Sequence, residues 1–184
     1  GTAYRLRTAV ASQPEPTAYR YEFGGTVEDS QLHATDPKLA HLLVWEPPRE
    51  GAIYVVAADP AFGASSASDR AVVQVWRCQR RQLIQVAEYC ASDLPLHQFA
   101  WVVLHLAGSY YRAPGRAHLI LELNGPGRAA LQEIQRVMWY GYGSQAPAAI
   151  QNVLGAIQHY IYRKPDSLTG GGGVWQWLTT AQTK

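Results

Sequence analysis

Charge is scarce in this chain. Only 16% of its 184 residues are Asp, Glu, Lys or Arg, against 47% apolar residues, a balance that argues against a disordered tail and for a soluble globular protein. Sixteen basic and fourteen acidic side chains nearly cancel, and the net charge of +2 is too small to announce a polyanionic partner by itself. Cysteine is limited to Cys78 and Cys90, which excludes a disulfide framework and, without ligand spacing, a structural zinc site. Long hydrophobic runs are missing. The most apolar stretch, Phe99 to Ala107, is interrupted by His105 and is far too short to span a bilayer, so no membrane association is expected. No signal peptide is expected either, because Arg5 and Arg7 lead into no apolar segment. Neither Gly63 to Ser68 nor Gly170 to Gly173 ends in the Gly-Lys-Ser/Thr of a nucleotide-binding loop. A serine-hydrolase elbow is absent as well.

What is present is a sheet with crossover helices. Residues 1 to about 50 show no period and read as a weakly structured segment punctuated by Gln13-Pro14-Glu15-Pro16 and Glu46-Pro47-Pro48. From Ile53 the character changes. Ile53 to Ala58 is a continuous β-forming run that suits a strand buried on both faces. Ala71 to Cys78 and Gln82 to Cys90, parted by Gln79-Arg80-Arg81, read as an antiparallel hairpin. That register places Cys78 near the turn and Cys90 opposite residue 71, too far apart for a disulfide, so both are expected as free thiols in a reducing, cytosolic compartment. Phe99, Val102, Val103, Leu106 and Tyr110 form one helical stripe, with Ser92 or Asp93 as the expected cap and Pro95 in the first turn. His118 to Leu123 reads as another buried strand, and Ala130, Leu131, Ile134, Val137 and Met138 as a second helical stripe. His159 to Tyr162 is a possible last strand. The order implies an α/β fold: a mixed sheet, antiparallel hairpin plus parallel strands, flanked by helices.

Chemistry is expected where carboxylates end buried strands. Asp59 closes the first run and Glu122 stands near the end of the fourth. If those strands are parallel neighbours, the two acids converge at the strand ends, where open α/β sheets bind ligands. Hard oxygen ligands over a phosphate diester are what Mg²⁺ or Mn²⁺ needs for two-metal hydrolysis. The bland readings are that Asp59 caps a turn before Pro60 and that Glu122 pairs with an Arg. Asp69, opening the next strand, either joins that site or caps its loop. Asn124-Gly125-Pro126-Gly127 places small residues and backbone N–H groups at a helix start, an anion site or merely a tight turn. Arg128, in the first helical turn, opposes the helix dipole and is better explained by a phosphate. Thirteen of the sixteen basic residues are Arg, the side chain suited to bidentate phosphate contact.

These segments resemble phage terminase large subunits. Trp45-Glu-Pro-Pro-Arg-Glu-Gly-Ala-Ile-Tyr-Val-Val-Ala-Ala-Asp59-Pro-Ala-Phe-Gly63, followed by Asp69-Arg-Ala-Val-Val, is similar to the start of that family's nuclease domain. Leu121-Glu122-Leu-Asn124-Gly-Pro-Gly127 is similar to its second acidic motif, and Tyr160-Ile-Tyr-Arg-Lys164 and Trp177 to Lys184 to later segments. Tyr21 to Gly25 is similar to the tail of the family's ATPase domain. The resemblance implies an ATPase tail and linker over 1–48 and a ribonuclease H-like nuclease domain over 49–184. It implies Asp59, Glu122 and auxiliary Asp69 as ligands of Mg²⁺ or Mn²⁺, and Asn124, Gly125, Gly127, Arg128 and Lys164 against DNA. It implies concatemeric double-stranded DNA as substrate, portal and small terminase subunit as partners, and the bacterial host cytoplasm as location. The family's third acid lies beyond the Trp-x-Thr-Thr segment, past Lys184, so the chain is expected to be truncated before its last helix, to carry an incomplete site and to cut weakly or not at all. Asp166 lies too early to replace that acid. The competing expectations are another ribonuclease H-like nuclease, such as a resolvase or transposase, and a non-catalytic DNA-binding fragment.

Overall fold

The computed structural model describes residues 14–62, 69–112, 115–139 and 147–154. The expected strand over 159–162, Lys164, Asp166 and the loops at 63–68 and 170–173 lie outside the described residues. Strands are β1 (Thr17–Glu22), β2 (Gln31–Ala34), β3 (Leu42–Val44), β4 (Ile53–Asp59), β5 (Ala71–Gln79), β6 (Gln82–Ala91) and β7 (Arg116–Leu121). Helices are α1 (Leu96–Tyr110), α2 (Gly127–Trp139) and α3 (Ala148–Leu154). The seven strands form one sheet in the order β2-β1-β3-β6-β5-β4-β7.

An antiparallel β4-β5-β6 meander sits at the centre, and α1 crosses from β6 to bring β7 parallel to β4. This is the mixed α/β sheet that the sequence implies, with ribonuclease H-like topology over β4 to β7. The hairpin closes through Arg80 at φ 51°, an αL position that matches the strand twist. Cys78 faces Leu83 and Cys90 faces Val72 across it, and both thiols are free. Between Val75 and Trp76 the register slips by one residue. This bulge leaves the Val86 carbonyl to accept from the Trp45 and Glu46 N–H groups at 2.9 and 3.2 Å.

Residues 17–44, where no period is legible, are not weakly structured: they form β1 to β3, which pair antiparallel and join the sheet through β3 and β6. Few apolar side chains hold them. Tyr21 is buried, stacks edge-on against Tyr89 and His105, and its hydroxyl meets His105 Nδ1 at 2.7 Å. Burial lowers the His105 pKa to about 4, so the ring is neutral at physiological pH.

Helix α1 is the hub. Its stripe from Phe99 to Tyr110 is buried as expected, but so are Ala100, Trp101, Leu104, Ala107 and Gly108, because α1 lies between the sheet and the helices α2 and α3 that pack on it. Among the described residues no helix is long and apolar enough to cross a membrane. Its expected cap is displaced. Pro95 itself occupies the N-cap, with no side-chain cap bond from Ser92 or Asp93, since its ring presets the chain entry. In β4 the residues facing α1 (Tyr54, Val56 and Ala58) are fully buried, whereas Val55 and Ala57 are half-buried. The expectation of a strand buried on both faces therefore holds for one face only. A continuous apolar run does not distinguish the two.

Candidate metal centre

Strands β4 and β7 run parallel in register, Ala57 beside Ile120 and Ala58 beside Leu121. The ladder continues one step further, where the Glu122 N–H donates to the Ala58 carbonyl at 2.9 Å. Glu122 therefore sits one residue past β7 and level with Asp59, the last residue of β4. Because side chains alternate along strands, Asp59 and Glu122 leave the sheet on the same side. The expectation of parallel neighbouring strands holds, and the acids meet side chain to side chain.

Their electrostatics follow from this closeness. The Asp59 carboxyl is pushed above its ordinary range, first by loss of hydration, then by the Glu122 charge and a hydrogen bond with it, and last by the Asp69 charge. Asp59 keeps an open side toward solvent, so these effects are partly screened. Asp69 lies on the rim of the same cleft, with Asp59, Pro60, Ala61, Phe62, Arg70 and Pro126. Its charge reaches Asp59, but among the described residues no three acidic, histidine or cysteine side chains are close enough to form a ligand cluster. The structure thus brings two of the three expected acids together and leaves the third at the edge.

The turn after Glu122 is built for that carboxylate. Asn124 Nδ2 donates to Glu122 Oε1 at 2.9 Å, a contact that orients the carboxylate. Gly125 has φ 51°, a conformation that favours glycine. Gly127 packs its Cα so tightly on the Glu122 carbonyl that an added Cβ would collide with the oxygen. The expected free backbone donors are partly spent inside the turn. Gly127 N–H donates to Asn124 O at 3.0 Å, and Ala129 N–H to Pro126 O at 3.0 Å. Arg128 is exposed in the first turn of α2. Phe62 and Arg70 were not singled out by the sequence. Their only signal there is closeness in the chain to Asp59 and Asp69.

The donor set suits a divalent cation. Two hard carboxylates pressed together, one held protonated more readily than usual, form a site whose repulsion a cation relieves. Because the folded pKa of Asp59 lies above its unfolded value, its protonated form stabilises the fold at low pH, and that contribution is lost as pH rises through the folded pKa. Above that folded pKa the Asp59 charge is opposed by the charges of Glu122 and Asp69. Asp59→Asn is therefore expected to raise the melting temperature of the metal-free protein at pH 7. Ca²⁺ or Mn²⁺ at a hundred times its Kd is expected to stabilise the native chain by about 2.7 kcal/mol and the variant hardly at all. Scanning calorimetry with and without metal reads both, and a variant that melts earlier in EDTA would refute the repulsion.

Neither a protein-family model nor a curated protein sequence matches the chain. Among solved structures it is similar to the large terminase nuclease from thermophilic phage G20c, at 20% identity and a TM-score of 0.41, over 53% of this chain and 46% of that one. The chain thus spans about half of that protein.

Proposed function

We propose that this chain is a metal-dependent DNA endonuclease, the nuclease part of a terminase large subunit that cuts concatemeric double-stranded DNA. One observation carries the reading: Asp59 and Glu122, from distant parts of the sequence, are set side by side at the ends of two parallel strands with their side chains in contact. The segments around both acids are those that resemble the terminase nuclease motifs. In this reading Asp59 and Glu122 hold Mg²⁺ or Mn²⁺, and Asp69 adds its charge from the rim. A bound divalent ion supplies Lewis-acid polarisation of the phosphate diester and an activated water. The chain's own residues prepare the site for it. Asn124 fixes one oxygen of Glu122, and the Gly127 contact fixes the carboxylate's backbone. Arg128 and the Asn124–Gly127 turn lie beside the acids, where a DNA backbone would pass, and Lys164 belongs to the same proposed DNA-binding set. The portal and small terminase subunit are the proposed protein partners, in the host cytoplasm.

The test is supercoiled plasmid incubated with the chain in Mn²⁺, in Mg²⁺ or in EDTA. Slow nicking with metal and none in EDTA is expected. DNA binding without any metal-dependent cleavage, even at high Mn²⁺, would replace the enzyme with a non-catalytic binding module.

A further inference from the structure

Large apolar side chains that stay exposed in a folded chain mark contacts yet to be made. Five stand out among the described residues: Leu39, Ile53, Phe62, Leu83 and Trp139. Only Phe62 lines the cleft that contains Asp59. It is 65% exposed, yet the two residues that lead to it from Asp59, Pro60 and Ala61, are buried. The backbone is thus anchored up to the point where the ring stands out. Across the cleft, a Cβ built on Gly125 would lie 3.8 Å from Phe62 Cε2. The ring accordingly reaches from the loop that follows Asp59 to the turn that follows Glu122, in the cleft that Asp59 lines. Arg70 is exposed on the same cleft and makes no ion pair among the described residues.

We propose that Phe62 is a stacking platform for a nucleobase next to the scissile phosphate and that Arg70 meets the phosphate chain beside it. The site then favours DNA in which a nucleotide at the cut is unpaired or easily unstacked. This rests on the nuclease reading and deepens it by naming a substrate class. The chemistry matches the two side chains. A base has an apolar face that an aromatic ring covers, and the adjoining phosphate carries the charge that a guanidinium pairs with. A fully stacked duplex withholds base faces, so a ring beside the acids is useful only where a base leaves the stack.

The experiment uses the full chain with Ca²⁺ in place of Mn²⁺, and duplexes that carry 2-aminopurine either at a single mismatch or fully paired. The native chain is expected to bind the mismatched duplex more tightly and to quench 2-aminopurine there. Phe62→Ala is expected to lose on the order of tenfold in affinity for the mismatched duplex, little for the paired one, and the quench with it. Phe62→Tyr should retain the quench. Phe62→Leu, which keeps apolar bulk without a ring, should lose it. Arg70→Ala should weaken both duplexes and reduce the salt slope by about one counterion. Metal-dependent nicking by the native chain, combined with an unchanged affinity and quench in Phe62→Ala, would overturn the stacking role and leave the nuclease intact. Failure of the native chain to bind either duplex would overturn both.

Discussion

Asp59→Asn is expected to lower Mn²⁺-dependent nicking by on the order of a thousandfold or more, and Glu122→Gln to do the same. The double variant is expected to fall little further, because in the proposed reading the two carboxylates serve one ion and removing either already dismantles its binding. The amide replacements matter here. Each keeps the size and much of the hydrogen bonding of its acid, so the loss reports on charge and not on packing. The comparison with stability sharpens this, since Asp59→Asn is expected to stabilise the metal-free fold while destroying activity. Initial nicking rates across a Mn²⁺ series measure the effect. Single variants that retain a tenth of native activity at every metal concentration would remove both acids from the catalytic centre.

Gly127→Ala is the second large effect, and it acts without touching any charge. The added methyl group runs into the Glu122 carbonyl, a backbone atom held by its place beyond β7 and by the Glu122 N–H bond to Ala58. Overpacking of this kind costs about 1–3 kcal/mol. The relief available is to push the Glu122 segment away from Asp59, and a displacement of about 1 Å at a reacting centre costs on the order of a hundredfold in rate. Gly108→Ala is the control. Its methyl group would meet the Ala149 carbonyl where α1 and α3 cross, so it is expected to cost comparable stability with far less loss of activity. Urea midpoints and nicking rates, measured on both variants well below their unfolding transitions, separate the two. Equal activity losses in both would show that Gly127 matters only for stability.

Much of the central fold was legible because its signals are local. The apolar run at Ile53 to Ala58, the hairpin on either side of Arg80-Arg81 and the stripes of α1 and α2 each carry their period within a few turns or a few residues. Asp59 and Glu122 were legible for the same reason, as acids that stop apolar runs. The strands β1 to β3 were not. β3 has three residues, and what makes it a strand is the edge that β6 offers through Leu42, Leu43 and Val44, a partner far along the chain. The bond from Asn124 to Glu122 was not legible, because only coordinates reveal which way the Glu122 carboxylate points. Phe62 carries no periodic signal, and its meaning comes from exposure beside the acids, which no pattern of neighbouring residues encodes.

The strand order also dictates when this centre comes into being as the chain is synthesised. β1, β2 and β3 pair with one another, but they join the rest of the sheet only once β6, with Ala87 to Tyr89, has emerged. β7 comes later still and must be carried by α1 alongside β4, residue 116 against residue 53, a long loop closure that two-state chains complete slowly. Glu122 follows directly behind it. The two carboxylates are thus brought together after β4, β5 and β6 have been made, and the meander can form without opposing their repulsion. The opposition between the two charges then falls on the docking of β7, so that edge of the sheet is expected to open more readily without a bound cation than with one.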